Sequence, residues 1–341
     1  MPIEKKYSLT ALVGIILTVA FVYVALPKLS VYGRSDSVMS ERERFVSAAT
    51  PENTPSQSSP EPTASPFSAN DDKQALLPEE IQAKQLVVSK TAPLENTRLQ
   101  YYLAWSFGGK SQRGWFLYSP LIQWTIGAGR EADSPEFAGS LAAWQQQFGL
   151  PPSGTLDDKT LYKIIEFWQV RRLNNSDYPS PDRLLTAPAT DFFDPIRDAE
   201  LRQVERETYA AYKRMVAAAV KDKTLNLKIT TTGELATDEK FLKIVSAFRS
   251  REYQAKLRRE SPNSGRAGLA TNSPHFTGRA LDLYVGGEPV TTKDENRAVQ
   301  IQTPVYKWLV KNAERFGFIP YFYEPWHWEY IPENLRKSPV R

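Results

Sequence analysis

The sequence predicts an α+β fold with an antiparallel sheet at its C-terminal end, preceded by a small mainly helical module, a disordered linker and one transmembrane helix. Three observations support this prediction. An uncharged apolar segment stands at the N-terminus, a segment rich in Pro, Ser and Thr follows it, and residues 191–341 alternate between helical and strand-like patterns. A chain of 341 residues has room for about two folded domains.

The composition excludes several kinds of site. The chain has no cysteine, so disulfides, a thiolate nucleophile and Cys-ligated metal are all excluded. Hydrophobic residues make up 41% and charged residues 24%, as in ordinary globular proteins. The net charge of +4 is too small to favour nucleic acid, so we expect no nucleic-acid partner.

The N-terminus has the layout of a signal anchor. Residues 8–26 form an uncharged apolar run, close to the roughly 20 residues with which a helix crosses a bilayer. Lys5 and Lys6 precede the run, and Pro27 and Lys28 stand where a cleavage site would need small residues. We therefore expect residues 1–7 in the cytoplasm, residues 8–27 as a retained single-pass anchor in the cell membrane, and the rest on the extracytoplasmic side.

The segment that follows has the composition of a tether. Residues 28–95 are dominated by Ser, Thr, Pro, Glu and Asn, above all between 35 and 91. Such a composition buries too little apolar surface to fold, and proline keeps the chain extended. We expect a disordered spacer.

Residues 96–190 predict a helical module. Leu141, Trp144 and Phe148 lie on one helical stripe that ends at Gly149, and a second helix begins near Asp157 after a Pro-Pro-Ser-Gly turn. This stretch resembles the second half of the three-helix peptidoglycan-binding repeat, whose pattern is matched by Trp144, Gln145, Gly149, Leu150, Gly154, Asp157 and Thr160. The first half of a repeat is not evident between residues 105 and 132. The alternative is a helical hairpin that only braces the next domain.

The C-terminal region predicts helices and strands in alternation. We expect helices over residues 199–220 and 303–316, and strands in the segments LNLKITTTG, FLKIVSAFR, ALDLYV and around WHWEY. In the third of these strands Ala280, Asp282 and Tyr284 share one face, and Gly278 permits a sharp entry into it.

Both histidines of the chain, His275 and His327, lie in this region. The first stands in SPHFTGRALDLYV and the second in YFYEPWHWEY. The two segments resemble the VanY-type D-alanyl-D-alanine carboxypeptidases and their dipeptidase relatives, which carry Ser-x-His-x-x-Gly-x-Ala-x-Asp followed by Glu-x-Trp-His. The matching residues are Ser273, His275, Gly278, Ala280, Asp282, Glu324, Trp326 and His327.

The resemblance implies a zinc D,D-peptidase domain of the hedgehog/D,D-peptidase fold over residues 191–341. In it His275, Asp282 and His327 would hold Zn²⁺ and leave a fourth position to water, as in catalytic zinc sites generally. Glu324 would be the general base. A regular strand would place Glu324 and His327 on opposite faces, so we expect a break at Pro325.

A further element, SAFRSREYQ, resembles the family's Ser-x-Tyr-Arg-Ser with a nearby Gln. It implies that Arg249 binds the scissile carbonyl oxygen, with Phe248 replacing the family's tyrosine. An exposed arginine at a helix start is the alternative. Ser250 is expected to cap the next helix. Substrate-binding candidates are Ser273, Gln254 and Trp326, although Trp326 also fits a core position with Trp328 and Tyr330.

The function implied is zinc-dependent hydrolysis of the D-alanyl-D-alanine bond in cell-wall stem peptides, by a monomer whose partners are the peptidoglycan stem peptide and the membrane. An endopeptidase or D,D-dipeptidase with the same chemistry is the first alternative. A non-catalytic wall-binding tether is the second, and the presence of Glu324 argues against it because a binding protein does not need a general base.

Overall fold

The computed structural model describes residues 88–174, 177–260 and 272–336. The predicted anchor and most of the predicted linker lie outside these ranges. Within them, the structure contains no helix that is both long and apolar enough to span a bilayer. All described residues belong to one compact unit.

Residues 88–174 are mainly helical and contain one β-hairpin. Its elements are α1 (Ala92–Tyr102), β1 (Ala104–Phe107), β2 (Lys110–Arg113), α2 (Ser119–Ile126), α3 (Pro135–Gln147) and α4 (Asp158–Gln169). Two of these helices confirm the helix-turn-helix expected from the sequence. Ser134 caps α3 by accepting from the backbone N–H of Phe137, and Asp157 caps α4 by accepting from that of Thr160.

Helix α1 begins inside the predicted linker, at Ala92, four residues before the expected start of the module at residue 96. Its buried face is formed by Ala92, Asn96 and Gln100 rather than by large apolar residues. The Asn96 amide donates to the Gly154 carbonyl at 2.9 Å and accepts from the Leu156 backbone N–H at 2.8 Å. The first helix beside α3 and α4 is therefore α1, whereas residues 105–132 hold the hairpin and α2.

The C-terminal part confirms the α+β prediction. Its helices are α5 (Arg206–Lys221), α6 (Arg251–Glu260), α7 (Asp294–Gln302) and α8 (Pro304–Asn312). Its strands are β3 (Leu184–Thr186), β4 (Gln203–Glu205), β5 (Ile244–Ser246), β6 (Ala280–Leu283), β7 (Phe318–Pro320) and β8 (His327–Tyr330). Strands β3 and β4 pair with each other, and the main sheet is antiparallel in the order β5-β6-β8-β7.

Two sequence predictions need correction. The helix expected over residues 199–220 is α5, which starts only at Arg206 because Glu205 caps it and the preceding residues pair with β3. The strand expected in LNLKITTTG reduces to an isolated bridge between Ile229 and Leu235. Ile229 is half exposed, so the alternating pattern there is not buried against a sheet of the described residues.

The helical part (residues 88–174) and the sheet part (residues 177–260 and 272–336) share one hydrophobic core within one compact unit. Phe107 of the hairpin packs on Phe322 at 4.7 Å between ring centroids, and Trp168 of α4 packs on the same ring at 5.7 Å. The helical part thus packs against the sheet part. Glycan binding by this part stays a prediction.

Candidate metal centre and active site

One row of side chains crosses the main sheet. On one side of β6, Asp282 is the register partner of Ser246 on β5, and on the other side it is the partner of His327 on β8. Side chains at partnered positions of an antiparallel sheet lie on the same face. The sheet register therefore brings the predicted carboxylate and one predicted imidazole together.

The second imidazole arrives from a short 3₁₀ helix, Pro274–Thr277, that leads into β6. Ser273 caps this turn by accepting from the backbone N–H of His275. Gly278 ends it with a φ of 69°, where a Cβ would lie 3.1 Å from the Glu205 backbone nitrogen. The expected sharp entry into the strand is confirmed, and it places His275 beside Asp282.

The three predicted ligands converge on one point. Oδ1 of Asp282 lies 2.9 Å from Nδ1 of His327 and 3.3 Å from Nε2 of His275. One donor atom from each residue lies within 4.8 Å of the others, and all three side chains are buried.

The second nitrogen of each imidazole is held by an acceptor. Nδ1 of His275 lies 2.7 Å from the Ala247 carbonyl, and Nε2 of His327 lies 3.1 Å from Oε1 of Glu329. A ring that donates through one nitrogen presents the lone pair of the other. The other nitrogen of each ring therefore faces Asp282, in the position from which it would bind a metal ion.

The donor set fits zinc. Two imidazole nitrogens and one carboxylate oxygen are a regular catalytic zinc set, and three protein ligands leave one position for water or substrate. Among the described residues, His275, Asp282 and His327 are the group that meets the geometric condition for a metal site.

Burial and neighbouring charges shift the pKa values of the site residues in different directions. Burial and the nearby Arg249 lower the pKa of His275 to about 4. Burial also lowers the pKa of His327, but hydrogen bonds with Asp282 and Glu329 outweigh it and raise this pKa to about 9. Burial raises the pKa of Asp282, yet His275 and Arg249 hold it well below its usual value. The carboxylate is therefore ionised and available to a cation.

Glu324 lies in the turn before β8. The backbone N–H of His327 donates to the Glu324 carbonyl at 2.9 Å, and Pro325 stands inside this turn, so the expected break is confirmed. Oε2 of Glu324 lies 3.9 Å from Nδ1 of His327. Burial raises the pKa of Glu324 to about 8, a suitable value for a group that exchanges protons near neutral pH.

Arg249 is buried, which rules out the exposed-helix alternative. Its Nε donates to Ser246 Oγ at 2.8 Å, one terminal nitrogen donates to Gln254 Oε1 at 3.3 Å, and the other forms an ion pair with Asp282 Oδ2. These contacts hold the planar guanidinium beside the Asp282 carboxylate, one of the candidate metal ligands.

The neighbours of Arg249 fill structural positions. Ser250 Oγ accepts from the Tyr253 backbone N–H at 3.1 Å and so caps α6, as expected. Phe248, where the resemblance would place a tyrosine, packs edge-on against Tyr178 at 5.4 Å.

The three substrate-binding candidates lie around the site and support it. Ser273 caps the His275 turn, and Gln254 accepts from Arg249. Trp326 is 3% exposed, and Trp328 and Tyr330 are also buried. The placement of Trp326 corresponds to its core alternative. Direct contact of these three residues with substrate stays a prediction.

Sequence reasoning missed Glu329, which is fully buried and bonded to a metal-ligand candidate. Burial raises its pKa, but Arg172 and His327 outweigh burial and lower it to about 2. The two-residue period of a strand indicates that Glu329 lies beside His327, because positions 327 and 329 of β8 face the same side. No local sequence pattern indicates that Arg172 contacts Glu329, because the two residues are 157 positions apart along the chain.

Comparison with known proteins covers the sheet part of the chain. Residues 201–333 match the sequence model of the VanY family, described as D-alanyl-D-alanine carboxypeptidase. No curated protein matches the chain. The matched range contains every residue of the two sequence motifs and the whole converging group of His275, Asp282 and His327. Residues 201–333 are therefore a domain of the VanY family.

Proposed function

We propose that the protein is a zinc-dependent peptidase that hydrolyses the D-alanyl-D-alanine bond at the end of cell-wall stem peptides. The observation that carries this proposal is the convergence of His275 Nε2, Asp282 Oδ1 and His327 Nδ1, with the other nitrogen of each imidazole already bonded. The VanY match supports the choice of bond.

When bound, zinc supplies a Lewis acid that lowers the pKa of water and polarises a carbonyl group. Glu324 lies next to this position and has the raised pKa of a group that gains and loses a proton near pH 7 to 8. In the proposed reaction it takes a proton from the attacking water. As the carbon–nitrogen bond breaks, it returns that proton to the leaving amine nitrogen.

Arg249 supplies fixed positive charge. A guanidinium has five N–H donors, and the bonds to Ser246, Gln254 and Asp282 use three of them. We assign the other two to the scissile carbonyl oxygen, where negative charge develops during attack by water. A donor that is already held in place stabilises such charge without reorganisation.

The proposal includes the location of the enzyme. The apolar run of residues 8–26 and the tether after it support a single membrane anchor with the peptidase on the extracytoplasmic side. Stem peptides of the cell wall are found on that side.

The test is mass spectrometry of a stem pentapeptide ending in D-alanyl-D-alanine after incubation with purified protein. We expect release of one D-alanine, loss of this activity with a chelator, and recovery with added zinc. Glu324→Gln should keep the metal and lose about 10²- to 10⁴-fold in rate. Release of the dipeptide, or cleavage of cross-linked peptides only, would instead identify a D,D-dipeptidase or an endopeptidase. No cleavage of any wall peptide by metal-loaded protein would contradict the proposal.

A further inference from the structure

The chain that leaves α4 enters the sheet part through Arg172 and Leu173. Nε of Arg172 donates to Oε1 of Glu329 at 2.9 Å, and a terminal nitrogen donates to the same oxygen. The Leu173 backbone N–H donates to the other oxygen, Oε2, at 2.8 Å. The Glu329 side chain has no exposed surface. A carboxylate at this depth stays ionised only because such donors replace water.

Glu329 connects these two residues to a metal-ligand candidate. Its Oε1 also accepts from Nε2 of His327 at 3.1 Å, and Nδ1 of the same ring faces Asp282 Oδ1 at 2.9 Å. A hydrogen bond to the second nitrogen fixes the rotation of a metal-binding imidazole. The Arg172 guanidinium is thus two hydrogen bonds away from the nitrogen that faces the metal position.

Arg172 reaches the same imidazole by a second route. Its guanidinium lies over the Tyr321 ring, 3.9 Å from the centroid. The Tyr321 ring packs edge-on against His327, with centroids 5.9 Å apart and planes at 81°. One arginine therefore holds both a hydrogen-bonding partner and a packing partner of His327.

We propose that Arg172 and Leu173 are positioning residues of the metal centre. They hold the Glu329 carboxylate where it orients the His327 ring, so that Nδ1 points at the shared metal position. Both residues lie outside the range 201–333 that matches the VanY family, so the helical part of this chain completes the metal centre of the VanY domain. The inference rests on the proposed function in so far as the three ligands bind a metal.

The chain offers a matched control at the neighbouring position. Arg171 also forms an ion pair between the two parts, with Glu314. The Glu314 side chain is 44% exposed, and the described contacts of this pair do not include a metal-ligand candidate. Substituting either arginine removes one positive charge and one ion pair between the parts, but only Arg172 is connected to His327.

The experiment compares the full chain with its Arg172→Met, Arg172→Lys, Glu329→Gln and Arg171→Met variants. Zinc affinity is measured by competition with a chromophoric chelator, and the visible spectrum of the cobalt-loaded protein reports ligand geometry. Partners of this kind are worth about 10- to 100-fold in metal affinity. We expect that loss, with an altered cobalt spectrum, for Arg172→Met and Glu329→Gln. Arg172→Lys should recover part of the affinity, and Arg171→Met should match the parent protein in both measurements.

Circular dichroism of the metal-free variants separates folding from positioning. If Arg172→Met does not fold, the zinc affinity and cobalt spectrum of Glu329→Gln test the inference instead. This variant keeps the shape of the side chain and an oxygen acceptor. Folded Arg172→Met with the affinity and spectrum of the parent would overturn this inference alone, and so would an equal loss in Arg171→Met. A parent protein that binds no metal would overturn the proposed function, and this inference with it.

Discussion

The helical part and the sheet part bury different kinds of polar side chain. In residues 88–174 the buried polar residues that the structure describes are all uncharged: Asn96, Gln100, Ser119, Gln145 and Thr160. In the sheet part many are ionisable, and His275, Asp282 and His327 form one cluster.

The difference teaches which buried groups belong to structure and which to chemistry. A neutral amide that satisfies backbone groups stabilises a turn at little electrostatic cost. Burying a charge costs roughly several kcal/mol of solvation free energy, so a buried charge needs an oppositely charged partner, hydrogen bonds or a metal ion. The ionisable cluster of the sheet part is therefore the candidate reactive site. Arg172 connects the helical part to this cluster through Glu329.

The largest expected effect comes from removing a proposed metal ligand. His275→Gln loses the imidazole that Ala247 orients, while glutamine keeps a polar side chain at this position. We expect metal affinity to fall by more than the about 10- to 100-fold that outer partners contribute, and hydrolysis to fall to background. Metal content after dialysis and turnover of the peptide measure this. A variant that retains its metal at the parent's stoichiometry would contradict the assignment.

The next effect concerns the fixed cation. Arg249→Lys keeps a positive charge but loses the fork that joins Ser246, Gln254 and Asp282. We expect kcat/KM to fall by about 10²- to 10³-fold, the usual loss of one donor at a developing oxyanion. Arg259→Lys, at an exposed position of α6, is the control. Equal turnover in Arg249→Lys and Arg259→Lys would contradict the role assigned to Arg249 in the reaction.

Zinc affinity and the thermal stability of the metal-free protein should change in opposite directions as pH rises. His327 has a pKa of about 9 in the metal-free protein, above its ordinary 6.5, so its contribution to stability is complete below pH 6.5 and is lost as pH rises through 9. A metal ion at Nδ1 must displace this proton. Zinc affinity should therefore rise about tenfold per pH unit between pH 6.5 and 9, while the Tm of the metal-free protein falls. Chelator competition and thermal unfolding across this range check both trends, and a zinc affinity independent of pH would show that His327 releases no proton.

The sequence predicted the group of His275, Asp282 and His327 because two short motifs carry these residues. The pairing of β6 with β8 and the turn that leads into β6 bring them together. It did not predict α1, because its buried face of Ala92, Asn96 and Gln100 has no apolar stripe to detect. The expected strand near Ile229 had the right alternation, but among the described residues its pairing is a single bridge to Leu235. The contact between Arg172 and Glu329 depends on how α4 packs on the sheet, which no local pattern encodes.

The smallest expected effect lies in the helical part. The Gln145 amide donates to Thr160 Oγ1 at 2.9 Å and accepts from the Gly154 backbone N–H at 2.9 Å. Gln145→Ala leaves these buried groups unpaired and should lower the free energy of unfolding by about 1–3 kcal/mol, with zinc affinity unchanged. Denaturant unfolding measures the loss. Gln146→Ala, an exposed neighbour in α3, is the control and should change little. A change in zinc affinity in Gln145→Ala would break the distinction between the two parts.

The most direct test of the central claim is a crystal structure of zinc-loaded protein with anomalous data collected on both sides of the zinc absorption edge. We predict one strong anomalous peak within about 2.0–2.2 Å of His275 Nε2, Asp282 Oδ1 and His327 Nδ1, with a fourth position open to solvent. An empty position between these three atoms, or a zinc ion bound elsewhere, would contradict the account.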